Sequence, residues 1–285
     1  MDISDNYRRM LAILEGHYIK YKRDNQLYDF TDYPLYLWDV LEYYHEDIRG
    51  IDALFVDEFQ DVDETQFNIF KKVICKKKFF IGDPWQSIFV FRGADGAIFT
   101  KLDDFDLYKL KYNYRSYQCI VDYASEVYQR LKPFIEDEDE SCISAVQSIS
   151  QAGIHCARGD SDGSVSILDP FGNNIYINNK DVVKHLSNEQ AALQFYKVLN
   201  QNPMVLCRTN KRVKEIQEMG YTNVSTIHQA KGLEYDNVIV IDHPITSMED
   251  LNVAYVALTR ARDNLIVCAW GRFEQLYRLK DYTRG

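Results

Sequence analysis

A chain of 285 residues that is 46% hydrophobic and 27% charged is long enough for about two domains and too apolar for a disordered polymer. Its net charge of −10 excludes a protein that coats duplex DNA through a broad basic face, but leaves room for a narrow cleft holding one strand. No apolar run approaches the roughly 20 residues of a membrane helix, and the opening MDISDNYRRM lacks the apolar stretch of a signal peptide. An intracellular protein with no membrane partner is expected. The six cysteines (Cys75, Cys119, Cys142, Cys156, Cys207, Cys268) form no C-x-x-C pair and sit mostly in apolar runs such as VLCRT, which favours buried thiols over disulfides or zinc.

Taken in chain order, apolar residues three and four apart predict helices from about Asn6 to Tyr21 and from Asp32 to Tyr44. IDALFVDEFQD then changes the rhythm, and a short apolar run ending in acids predicts a buried strand with functional groups at its C-terminal end. KKFFIGD, LYKLKYNYRS, PMVLCRTN, DNVIVID and NLIVCAW repeat the strand pattern. Helices are expected between them at ETQFNIFKKVI, SYQCIVDYASEVYQRL and EDLNVAYVALTRARD, with Ser116 as a cap of the second and Ser187 with Gln190 as a capping box of a further one. GSVSILDPFGNNIYIN reads as a hairpin around a Pro/Gly/Asn turn, and Glu136 to Glu140 (EDEDE) as a solvated charge run. Strands alternating with helices imply an α/β fold with parallel sheets covered on both faces, where ligands bind beyond the carboxyl ends of strands.

Several blocks carry chemistry. In VDEFQD, Asp57 and Glu58 are adjacent carboxylates at a strand end: one suits a Mg²⁺ ion while the other orients or deprotonates water, although many such pairs are plain solvated strand ends. In GDPWQSIFVFRGA, Gln86 is placed to sense a phosphate or a water, and Phe89, Phe91 and Arg92 present two rings and a cation beside small residues. Those rings are either core or a stacking platform for bases. Tyr114 and Arg115 follow a strand, and TIHQAKGLE offers Thr226, His228, Lys231, Gly232 and Glu234 in a loop before the next. Arg260 and Arg262 stand near the end of a helix, where a cation is also simply favourable for the helix dipole.

VDEFQD, GDPWQSIFVFRGA, NYRS, VLCRTN, TIHQAKGLEYDNV and YVALTRARDNL, in that order, resemble the motor core of UvrD/Rep-like superfamily 1 DNA helicases, from about Asp29 to Cys268. The resemblance implies two RecA-like lobes. The first is incomplete and spans residues 1–108; the second spans 109–285, with a small hairpin and no large accessory domain in the short connection between VLCRTN and VSTIH. It implies ATP and Mg²⁺ as cofactors and single-stranded DNA as partner, with stepping from 3′ to 5′. Asp57 would hold the metal and Glu58 activate water; Gln86 would couple the γ-phosphate to the DNA site, and Arg115 and Arg260 would reach that phosphate. Tyr114 would stack on adenine, with Gly232 and Glu234 also on the nucleotide and Glu234 at the ribose. Phe89, Phe91, Arg92, Thr226 and His228 would grip the strand.

One departure decides the expected activity. No G-x-x-x-x-G-K-[ST] phosphate loop occurs, and the chain starts too late to contain it, so hydrolysis by this chain alone is expected to be very poor. A second departure is Leu251 and Asn252, where relatives often carry arginines. Three readings follow: a helicase motor whose phosphate loop comes from a second chain, a single-strand or partner-binding module without turnover, and a structural partner that touches no nucleic acid.

Overall fold

The computed structural model describes residues 5–94, 97–110, 112–136, 155–156, 164–168, 174–177, 202–241 and 245–268. The chain divides into two compact units, Met1–Asp57 with Val62–Ile81, and Glu58–Asp61 with Gly82–Gly285. No described helix is long and apolar enough to cross a membrane.

The first unit holds α1 (Asp5–Asp24), α2 (Asp32–Tyr43), β1 (Ala53–Val56), α3 (Glu64–Lys71) and β2 (Lys77–Phe80). Both predicted N-terminal helices form. Lys22, near the end of α1, reaches Asp29 at 2.8 Å and Asp32 at 2.7 Å. Hydrogen bonds from Lys22 and Tyr18 hold the Asp29 carboxyl well below the usual range. α3 opens with a capping box: Asp63 accepts from the Gln66 amide, and the Gln66 side chain accepts from the Asp63 amide. β1 and β2 pair in parallel, in register from Ala53↔Lys77 to Val56↔Phe80. The expectation of a buried strand is corrected here. Phe55 is 64% exposed and stacks on Phe79 with centroids 4.5 Å apart, because the described sheet of this unit has two strands and no described element covers that face.

The second unit contains β3 (Tyr112–Asn113), α4 (Gln118–Glu136), β4 (His155–Cys156), β5 (Ser164–Leu168), β6 (Asn174–Ile177), β7 (Met204–Cys207), α5 (Asn210–Glu218), β8 (Val224–Thr226), α6 (Ile227–Ala230), β9 (Tyr235–Ile241), α7 (Met248–Leu258) and β10 (Ala261–Cys268). Six described strands form one sheet in the order β6-β5-β10-β9-β7-β8, parallel throughout except for the antiparallel β5–β6 pair that the alternation predicts. The carboxyl ends of its parallel strands therefore lie along one edge, which positions the site. Strand periodicity splits the core in two. Leu206, Val238, Val240, Leu265 and Val267 bury one face under α4 and α7, while Val205, Cys207, Ile239, Ile241, Ile266 and Cys268 bury the other against Ile216 of α5. Each such side chain contributes about 1.5–3 kcal/mol by leaving water. Cys119, Cys207 and Cys268 are buried free thiols, and Cys75 is free and half-buried.

Three local expectations shift. The strand in LYKLKYNYRS shrinks to Tyr112–Asn113, and VST forms β8 although no strand is predicted there. Ser116 does not cap α4: its hydroxyl donates to the Ala261 carbonyl at 2.6 Å, and the helix begins at Gln118. The helix expected to run through Asp263 stops at Leu258. Thr259 Oγ1 turns back to the Tyr255 carbonyl at 2.9 Å and Arg260 Nε to the Val256 carbonyl at 2.9 Å, satisfying the last turn so that the chain can leave as β10. Ser187, Gln190 and residues 137–140 of the acidic run lie outside the described residues.

Candidate functional site

Asp57 closes the first unit, exposed at the carboxyl end of β1, and Glu58 begins the segment that belongs to the second. Glu58 has φ +51°, a left-handed conformation that costs a side-chain-bearing residue about 1 kcal/mol or more. Its carboxylate accepts a hydrogen bond from Gln60 Nε2, and the Oε1 of the same buried glutamine accepts from the Asp83 amide at 3.0 Å. Gly82 makes that approach possible: a Cβ there would lie 2.2 Å from Gln60 Oε1. Asp83 accepts from the Trp85 amide at 3.0 Å and from Gln86 Nε2 at 2.9 Å, and burial pushes its carboxyl up. The segment is anchored by Trp85, stacked 4.0 Å from Tyr128 within the core. A buried polar chain supports it from behind. Tyr128 donates to Asn252 at 2.8 Å, Asn252 to the Ser87 carbonyl at 2.8 Å, and Ser87 to the Gln60 carbonyl at 3.1 Å.

Gln86 is also where the last motif arrives. Arg260 is 1% exposed, and its Nη2 donates to Gln86 Oε1 at 3.0 Å while Nη1 donates to the Leu233 carbonyl at 3.2 Å. Burial lowers its pKa to about 10, which still leaves it charged at neutral pH. Arg115 Nε donates to Glu234 at 2.9 Å and its Nη1 to the Thr259 carbonyl at 3.4 Å, so this arginine and this acid stand beside Arg260. Arg262 lies 3.7 Å from the same Glu234. Asn113 Oδ1 fixes the turn before α4 by accepting from the Arg115 and Ser116 amides. Tyr114 is 74% exposed, and Gly232 takes φ +79°, a bend that favours glycine.

Four of the five predicted strand-gripping residues, Phe89, Phe91, Arg92 and His228, come together as a cluster. Phe89 and Phe91 have centroids 6.0 Å apart, and each lies under 6 Å from the His228 ring, at 5.8 and 5.7 Å. Arg92 sits 4.8 Å from the Phe89 centroid and 5.5 Å from that of Phe91. Phe91 is 63% exposed, whereas Phe89 packs partly on the core. Thr226 is buried and caps α6, its Oγ1 accepting from the Gln229 amide at 3.3 Å. His228 Nε2 is 3.2 Å from the Ile88 carbonyl. Arg208 packs against the ring and is anchored by Glu249 at 3.6 Å and Asp250 at 3.5 Å.

Burial, then the charge of Arg208, pushes His228 below its ordinary 6.5. The unfolded chain therefore binds more protons than the folded one just below pH 6.5, and folded stability should fall as pH drops through that window. Urea titrations between about pH 5 and 7 check this. His228→Gln should flatten the slope, and an unchanged slope would assign the pH dependence elsewhere.

Gln60, Asp61, Arg208, Asn252 and the anchoring role of Lys231 were not legible as parts of this site. Gln60 and Asp61 lie inside the VDEFQD block and Lys231 inside QAKG, but nothing in their spacing names their partners. Among the described residues no group of three or more His, Cys, Asp or Glu side chains could hold a metal ion.

The model for the UvrD/REP helicase N-terminal domain matches residues 2–105, and that for the UvrD-like helicase C-terminal domain matches 221–268, together just over half the chain. The first stretch contains Asp57, Glu58, Gln86, Phe89 and Phe91, and the second Thr226, His228, Glu234 and Arg260. The chain belongs to the UvrD/Rep helicase family. Curated relatives of this UvrD/Rep-family chain include the Gabija protein GajB of Bacillus cereus, 24% identical over 75% of this chain and 63% of that protein. A probable DNA helicase of Mycoplasma pneumoniae is 26% identical over 92% of this chain and 52% of its own length. The RecBCD subunit RecB of Buchnera aphidicola is 39% identical over 31% of this chain and 8% of its own. The chain thus spans between about half and two thirds of the first two relatives. Among solved structures, the PRRSV helicase covers 84% of this chain and 39% of its own at 16% identity, with a TM-score of 0.44.

Proposed function

We propose that this chain is the motor core of an ATP-dependent DNA helicase or single-strand translocase that steps from 3′ to 5′. No G-x-x-x-x-G-K-[ST] phosphate-cradling loop lies within these 285 residues, so the motor needs that segment in addition to them. The observation that carries the reading is the buried Arg260–Gln86 pair, which joins the last motif to the segment bearing Phe89 and Phe91. A desolvated guanidinium is costly, and two carbonyls and one amide oxygen hold it where an anion could be met from a fixed position.

The donor set fits a magnesium nucleotide. Mg²⁺ takes one or two carboxylates and completes its shell with phosphate oxygens and water, and Asp57 stands exposed at the carboxyl end of β1 where it can supply one. ATP, when bound, would supply the anhydride that is cleaved. Asp57 would hold the ion, and Glu58, oriented by Gln60, would accept a proton from water at its carboxylate. Arg115 and Arg260 would neutralise phosphate charge, a contribution of about 10³–10⁵ in rate where such arginines are in place. Gln86 would report that charge to the rings. Tyr114 would stack on the base, Glu234 would face the ribose, and Gly232 would also lie at the nucleotide. Phe89, Phe91, Arg92, Thr226 and His228 would hold single-stranded DNA. In domain terms we assign 1–108 to the first RecA-like lobe and 109–285 to a minimal second lobe. The N-terminal family model, which ends at 105, supports that division, whereas the compact units group 58–61 and 82–108 with the second; the short 211–223 connection, carrying α5, supports the minimal second lobe.

A second reading, a single-strand-binding module without turnover, is favoured by the ring cluster, which is assembled by contacts needing no nucleotide. Steady-state ATP hydrolysis separates the two. The chain alone should turn over very little with or without single-stranded DNA. Supplying a G-x-x-x-x-G-K-[ST] segment, fused to this chain or as a separate polypeptide, should restore DNA-stimulated hydrolysis that Glu58→Gln abolishes. Retained DNA binding with no restored hydrolysis would select the binding module.

A further inference from the structure

We infer that Lys231 is a positioning residue that ties the acidic loop Glu58–Asp61 to the ring cluster, so that an occupant of the rings is felt at the carboxylates. The inference rests on the nucleic-acid reading above and deepens it by naming the link between the two halves of the site.

Lys231 follows directly on α6, which carries His228, and precedes Gly232, whose φ of +79° turns the chain toward β9. Its side chain is only 6% exposed. The ammonium makes an ion pair with Asp61 and donates to the Gln86 carbonyl at 2.6 Å. Glu58 Oε2 lies 3.8 Å away, and the Phe89 ring centroid 5.1 Å away on another side. One buried cation, itself in a third motif, therefore touches four groups that belong to two others.

A buried ammonium has no water to make good a lost partner, so its position is a balance among those four attractions. Displacing the Phe89 ring alters one side of the balance, and the ammonium must then shift relative to Asp61 and Glu58. The converse also holds, because coupling between sites is reciprocal. Asp61 is placed to set the strength of the tether. Burial pushes its carboxyl up, while the hydrogen bond and charge of Lys231 hold it down. No ring contact of Asp61 is seen; the Ile88 amide also hydrogen-bonds its carboxylate, and Lys231 is the side chain that links it to the Phe89 ring.

A double-mutant cycle on the full chain tests this. The affinity for a fluorescently labelled oligothymidine at low salt is measured for the parent, Asp61→Asn, Lys231→Met and the double variant, with Lys231→Arg as the conservative change. Thermal melts accompany each to confirm a native fold, and Lys231→Gln replaces Lys231→Met if the latter fails to fold. The expected result is that Asp61→Asn alone changes affinity about fivefold, and that it changes nothing further once Lys231 is replaced. Lys231→Arg should recover most of the parent affinity. Effects that simply multiply in the double variant would overturn the link while leaving the DNA reading intact. Absence of oligothymidine binding by the parent would overturn the DNA reading, and the link with it.

Discussion

Arg260→Ala should lower the stability of the second unit by about 3–5 kcal/mol, the largest effect expected of any single substitution here. The guanidinium satisfies the Val256 carbonyl, the Leu233 carbonyl and Gln86 Oε1, and each buried acceptor left without a donor costs about 1–3 kcal/mol. The side chain is also among the largest that are fully buried, so its removal leaves a cavity beside α7. Urea unfolding followed by circular dichroism measures this directly. Arg260→Lys is the informative companion: an ammonium keeps the charge but cannot present the planar fork to three acceptors at once, so it should recover only part of the loss. If Arg260→Ala unfolds at the parent's urea concentration, the buried pairing with Gln86 is wrong, and the observation carrying the proposed motor goes with it.

Replacing Phe89 and Phe91 together by alanine should weaken binding of single-stranded DNA by at least about 30-fold, since each stacked base contributes about 1–3 kcal/mol. A fluorescent oligonucleotide titration reads the change. The two rings differ in what else they do. Phe91 is mostly exposed, so Phe91→Ala should cost binding with little loss of stability, whereas Phe89 also packs on the core and under the Lys231 ammonium. Phe91→Ala alone is therefore the cleaner probe. Affinity unchanged in both variants would move the strand off these rings.

How far the site was legible depends on the kind of residue. Phe89 and Phe91 were picked out because rings beside glycine, serine and arginine do not look like an apolar stripe, His228 because TIHQAKGLE resembles a family motif, and the three do converge. Arg260 had two readings, a helix-end cation or a phosphate ligand. The structure shows that the same guanidinium both closes the last turn of α7 and reaches Gln86. Ser116 misled because a serine two residues before a helix looks like a cap from sequence, while a β-strand carbonyl 145 residues away took its hydroxyl. Phe55 misled in the same way: its apolar run predicts burial, but burial needs a neighbouring layer, and β1 has only β2 beside it among the described strands.

The order of short blocks along the chain determined the family and the α/β class without coordinates, because strand and helix periodicities and the residue types at strand ends are local properties of the polymer. Only the tertiary structure decided which polar groups are committed to one another. Lys231 with Asp61 joins residues 170 apart, Lys231 with the Gln86 carbonyl 145 apart, and Arg260 with Gln86 174 apart. No local pattern encodes such pairs. They are selected because burying a charge without a partner costs more than the chain can spare, so whichever groups the packed sheet and helices bring within reach must satisfy each other.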